Sequence, residues 1–114
     1  MRIDSIELYL VENRFYRPWR TAYGSDTGNC VLITRMRSGD HEGWSETSAL
    51  SGPNYSYEYG EGMFIVARRF LAPALIGRSF ESARELNAAM AHVKGTPFAK
   101  AGIEIAWWTL SADI

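Results

Sequence analysis

The spacing of apolar residues along this chain changes period once and does not change back. As far as Thr47 the period is two: Ile6, Leu8 and Leu10 share a face and Asp4 and Glu12 end the run, so residues 3–11 read as a strand. Residues 29–37 form a second β-branched and apolar run. Ser38-Gly39-Asp40 then supplies turn chemistry, and residues 41–47, around Trp44, return as its antiparallel partner. From Met63 onward the period is three to four. Met63, Val66, Ala67 and Phe70 mark a first helix, interrupted or ended near Pro73. Gly77, Ser79 and Ser82 punctuate the chain before Ala83, Leu86, Met90 and Val93, which mark a second helix ending at Gly95. Thr96 as N-cap and Pro97 at the first helical position open a third, with Ala99, Ile103, Ala106, Trp107 and Leu110 on its apolar side. Strands that all precede the helices, instead of alternating with them, predict an α+β fold: a three-stranded antiparallel meander followed by three helices packed on it.

The two long connectors differ from ordinary turns. Residues 13–27 contain Arg14, Phe15, Tyr16, Arg17, Pro18, Trp19, Tyr23 and Gly24, and their length, Pro/Gly content and aromatic richness read as a functional loop. A second loop, residues 49–57, carries Ser51-Gly52-Pro53-Asn54. The 114 residues fit one domain with no repeat or linker, and a formal charge of -1 with interspersed signs argues against nucleic acid or an anionic membrane as partner. Cys30 stands alone, which excludes an internal disulfide and a thiolate zinc site and fits a reducing compartment. No run is long and apolar enough for a membrane span, and Met1-Arg2-Ile3-Asp4 lacks the order of a signal peptide, so a soluble, cytoplasmic protein is expected.

Four segments carry a resemblance. They are Gly43-Trp44-Ser45-Glu46; Ser51-Gly52-Pro53-Asn54 continuing through Tyr55-Ser56-Tyr57-Glu58-Tyr59; Phe70-Leu71-Ala72-Pro73-Ala74-Leu75-Ile76-Gly77; and Ala99-Lys100-Ala101-Gly102-Ile103-Glu104. In this order and spacing they cover the chain almost end to end, and it resembles the N-terminal capping domain of the enolase superfamily, muconate lactonizing enzyme subgroup. The nearest likeness is to o-succinylbenzoate synthases and N-acylamino acid racemases. It departs from them at Trp107-Trp108-Thr109-Leu110, where a Trp-Asp-Leu pattern is common. The resemblance implies that residues 1–114 are a capping domain whose catalytic barrel is absent from this chain. It implies a parent enzyme, an isomerase or lyase, that removes a proton next to a carboxylate using a lysine base and a magnesium ion. The partners it implies are that barrel, in cis or in trans, and a small carboxylate substrate.

By motif position, Trp19 and Tyr23 of the first loop and Leu50 and Tyr55 of the second would line the substrate's non-reacting end, where rigid aromatic area excludes water. No catalytic residue is assigned to this chain. Its lysines, Lys94 and Lys100, lie six positions apart around a helix start and do not form the family's paired-lysine element. Arg14, Arg17 and Arg20 suit a carboxylate by geometry, but solvated surface is the expected role. Glu46 without acidic neighbours is no cation site, His41 and His92 form no pair, and Cys30 in an apolar run is a small buried hydrophobe. Neighbouring Trp107 and Trp108 point about a quarter-turn apart on a helix, so one should face an interface, and the free chain should be a dimer or larger. Two functions are therefore carried forward: a specificity domain of a magnesium-dependent racemase, epimerase or dehydratase that is inactive without its barrel, or a stand-alone binding or oligomerisation module with the same fold.

Overall fold

The computed structural model describes residues 1–22 and 24–114. Three strands, β1 (Ser5–Thr21), β2 (Gly24–Ser38) and β3 (His41–Ala49), form one antiparallel sheet in the order β1-β2-β3. Three helices follow: α1 (Gly60–Val66), α2 (Ala83–Met90) and α3 (Pro97–Asp113). The α+β meander-then-helices expectation holds, and its cause is visible in burial. Along β2, Cys30, Leu32, Thr34 and Met36 are buried against the helices while the residues between them are half-exposed on the other face.

Helix α1 does not end cleanly. It widens into a π-helical turn over Ala67–Leu71 and then tightens into a 3-10 turn over Ala72–Ala74. A continued α-helix would drive the Pro73 ring into the carbonyl of Arg69, and the wide turn relieves that clash. Leu71, the last residue of the wide turn, and Leu75, just after the tight one, are fully buried, so the irregularity keeps both in the core. Helix α2 starts as its sequence suggests, with the Ser82 hydroxyl accepting from the Glu85 backbone N–H at 3.2 Å.

Helix α3 lies along β3. The contact is close because Gly43 lacks a side chain: a Cβ there would overlap the backbone nitrogen of Leu110 and the carbonyl oxygen of Ala106. The Ser45 hydroxyl donates to the Gly102 carbonyl, and the Thr109 hydroxyl donates to the Trp44 carbonyl at 2.9 Å. Ile103, Ala106 and Leu110 are fully buried, and Trp107 is 3% exposed. Trp108 is 54% exposed, so the two tryptophans divide between core and surface as their spacing demands.

Two expectations need correction. The stretch 13–27 is not an open loop: β1 and β2 run on through it as a long hairpin, except at Tyr23, which lies outside the described residues. Arg14 stands opposite Gly28 and Trp19 opposite Asp26, so residues 15–18 form a large bulge facing Thr27 alone. Pro18, which has no N–H to give a ladder, sits inside that bulge. The second correction concerns Thr96. It holds the N-cap position of α3, but with φ 54° and no side-chain cap bond. The cap comes from afar: the Glu58 carboxylate accepts from Phe98 N–H at 2.7 Å and from Ala99 N–H at 3.1 Å.

On the sheet face away from the helices, Arg35 is held between two carboxylates, Glu42 at 2.6 Å and Glu7 at 3.3 Å, with the Trp44 ring 5.3 Å from its guanidinium carbon. The Tyr9 hydroxyl and then Arg35 hold Glu7 below the usual carboxylate range, and Arg35 followed by the Trp44 indole N–H does the same for Glu42.

Candidate functional site

The site is made by the hairpin extension and the second loop. Since β2 is continuous, Asp26 faces the same side of the sheet as Cys30 and Leu32, and its cross-strand partner Trp19 shares that side. Gly28 lets the two strands approach closely here, because a Cβ on it would overlap the Asn13 carbonyl. Phe15, from the bulge, meets Trp19 edge to face at 6.5 Å.

The second loop leaves β3 at Leu50, whose carbonyl accepts from Gly60 N–H at 3.0 Å, and it is pinned at its far end to α3. Besides the Glu58 carboxylate, the Tyr57 hydroxyl takes part, accepting from Thr96 N–H at 2.9 Å. The loop is thereby set against the hairpin. Between them lies a cavity of about 380 Å³ walled by Trp19 and Thr21 of β1, Asp26 of β2, and Leu50, Asn54 and Tyr55 of the loop. Its walls are mainly apolar, and that volume lies within the range of small-molecule sites. Trp19 and Tyr55 are 61% and 70% exposed, so the cavity opens outward.

Three of the four expected lining residues, Trp19, Leu50 and Tyr55, meet in this one cavity. The fourth, Tyr23, lies outside the described residues. Asp26 was not singled out from the sequence; only the register across the bulge brings it opposite Trp19. A second cleft of about 460 Å³ adjoins, with Glu12, Arg14, Cys30 and Ser51 in its walls and Asp26 shared between the two. Arg17 and Arg20 are exposed and wall neither cavity.

The remaining candidates fall into structural roles. Cys30 is buried, and that burial, ahead of the charges of Glu12 and Glu61, pushes its thiol pKa up and away from nucleophilic use. His41 Nδ1 stands 3.2 Å from Asp113 at the surface, and Glu46 is exposed on β3. The Lys100 ammonium donates to the Val93 carbonyl, tying the end of the second helical segment to α3. Among the described residues no three His, Cys, Asp or Glu side chains are grouped so as to hold a metal ion. The set of oxygen donors that a divalent cation requires is thus not offered by the described residues alone. Nor is any helix long and apolar enough to cross a membrane among the described residues.

Comparison with known proteins adds a decisive observation. The family model described as the mandelate racemase / muconate lactonizing enzyme N-terminal domain matches residues 5–113. The chain belongs to that family. This N-terminal domain is 33% identical to the N-succinylamino acid racemase of an Amycolatopsis species over 93% of its own length and 29% of the racemase's. It is 27% identical to the o-succinylbenzoate synthase of Bacillus subtilis (strain 168) over 98% of its length and 30% of the synthase's. In structure it is similar to the muconate lactonizing enzyme of Pseudomonas fluorescens complexed with muconolactone, with a TM-score of 0.85, 30% identity, and coverage of 92% of this chain and 29% of that one. The domain therefore spans about three tenths of the length of the relatives it matches.

Proposed function

We propose that this chain is the capping and specificity domain of a racemase, epimerase or dehydratase acting at a carbon next to a carboxylate, with N-acylamino acid racemisation and o-succinylbenzoate synthesis as the favoured chemistries. The observation that carries this reading is the convergence of Trp19, Leu50 and Tyr55 on one outward-opening cavity. Such a cavity holds the end of a substrate that does not react, and closing it over a barrel would exclude water from the end that does. The reacting end needs a base and a magnesium ion, which stabilises the enolate formed when the α-proton leaves. In this reading those groups lie on a barrel that accounts for the part of the relatives' length the chain does not span, and the domain alone is inactive.

The test is direct. The purified chain in deuterium oxide with magnesium is expected to exchange no α-proton of an N-succinylamino acid above the buffer rate. The coding sequence downstream of Ile114 is expected to continue with paired lysines and spaced carboxylates. Exchange by the chain alone would remove the inactivity claim, and a stop codon directly after Ile114 would favour a non-catalytic module.

The exposed side of α3 bears on assembly. Ile105 is 47% and Trp108 54% exposed on it. Covering the exposed half of a tryptophan contributes on the order of 2 kcal/mol, so the free chain is expected to hide this face by self-association. Light scattering should give a concentration-dependent dimer or larger species, and Trp108→Lys should shift it toward monomer. A monomer at every concentration for the unmodified chain would contradict the proposal.

A further inference from the structure

The apolar cavity contains one ionisable group that its walls do not explain. Asp26 is half-buried and lines the cavity beside Trp19, and its carboxylate makes no hydrogen bond or ion pair with another described residue. Asp26 borders both this cavity and the adjoining polar cleft, and a cation seated in the apolar cavity would give its carboxylate the counter-charge that no described side chain gives it. Arg14 lines the adjoining polar cleft and forms no ion pair with Asp26.

We propose that Asp26 makes this cavity select ligands whose non-reacting end carries a cation, a guanidinium or an alkylammonium, an inference that rests on reading the cavity as the specificity site. Three features fit that class of ligand. A carboxylate accepts a charge-assisted, two-pronged hydrogen bond from a guanidinium, or a single strong one from an ammonium. Trp19 and Tyr55 supply aromatic surface, which attracts a desolvated cation and accommodates the alkyl stem that bears it. The cavity's volume of about 380 Å³ leaves room for such a stem between Leu50 and the hairpin. An anionic end would meet like charge, and a neutral apolar end would leave the half-buried carboxylate unpaired. Asp26 is thus a specificity residue: it touches the end of the ligand distant from the reacting carbon.

The experiment uses the 114-residue chain itself, labelled with ¹⁵N and titrated with N-acetyl-argininamide, N-acetyl-norleucinamide and N-acetyl-glutamate. Saturable shifts of the Trp19 indole and Asp26 amide signals are expected, with the arginine probe binding about tenfold more tightly than the norleucine probe. Asp26→Asn should bring the two affinities together, and Asp26→Lys should turn the preference toward the glutamate probe; an unchanged melting temperature in each variant confirms that the fold persists. Equal affinities for arginine and norleucine probes in the unmodified chain, or a preference that survives Asp26→Asn, would overturn the proposal while leaving the cavity as a ligand site. Absence of saturable shifts at Trp19 with every probe would overturn both this inference and the reading beneath it.

Discussion

Gly43→Val is expected to destroy the cooperative fold of this domain, and Gly43→Ala to destabilise it by about 3 kcal/mol or more. Most small-to-large changes in a core are relieved by rotating a neighbouring side chain. Here the atoms in the way are backbone, the nitrogen of Leu110 and the carbonyl oxygen of Ala106, and they can move only if α3 moves as a body. Sliding α3 away from β3 would pull Ala106, Trp107 and Leu110 out of the core together and break the Thr109 and Ser45 bonds to and from the strand. For a chain of this size the alanine change should lower Tm by about 10 °C or more, read by circular dichroism at 222 nm. Glu46→Ala, on the same strand with an exposed side chain, serves as the comparison and should move Tm by no more than a degree or two. A Gly43→Val protein melting as sharply and as high as its parent would show that α3 does not rest on β3 at this glycine.

That contact could be anticipated only in outline, and the reason lies in what a periodic pattern records. Apolar period reports burial of one face, so it is legible wherever an element has a buried face and a wet one. Leu32, Thr34 and Met36 alternate with half-exposed neighbours on β2, and Ile103, Ala106, Trp107 and Leu110 recur at helical spacing on α3. The same spacing separates Trp107 from Trp108. Beyond Asn13 the pattern fails because nearly every residue of the hairpin extension is solvated on both faces, leaving no alternation to read even though the backbone ladder continues. Trp19, expected by motif position to line the substrate's end, does wall the cavity, yet the form of that stretch is not legible, since Pro18 and the bulge look like a loop when the partner strand is not considered.

Long-range chemistry explains the rest. Local rules assign the α3 cap to Thr96, whose hydroxyl is the right type at the right position. A carboxylate brought in from forty residues away displaces it, because an ionised acceptor satisfies two helix N–H groups at once and sits favourably at the positive end of the helix. Asp26 is hidden for a comparable reason. Nothing in its neighbours marks it until the bulge places four residues of β1 opposite one of β2 and so aligns it with Trp19.

Glu58→Ala is expected to cost about 2–3 kcal/mol of stability and to loosen the candidate site without touching its walls. Glu58 is 6% exposed, so its removal leaves Phe98 and Ala99 N–H without their charged acceptor in a place water reaches poorly. Glu58→Gln, which keeps one oxygen but loses the charge, should fall between the two. Hydrogen exchange locates the effect: the amides of Phe98 and Ala99 should lose protection, while those pairing β2 with β3 keep theirs. The consequence for the site follows from chain connectivity. Tyr55 and Leu50 face the hairpin because their loop is held at one end by β3 and at the other by Glu58 and the Tyr57 hydroxyl on α3. Releasing the α3 end lets the loop sample positions away from Trp19, so N-acetyl-argininamide should bind the Glu58→Ala chain about tenfold more weakly with Asp26 intact. Unchanged protection at Phe98 and Ala99 would mean that the carboxylate is not their cap. Lost protection with unchanged probe affinity would mean instead that the loop is held against the hairpin by its own contacts, with no help from the helix.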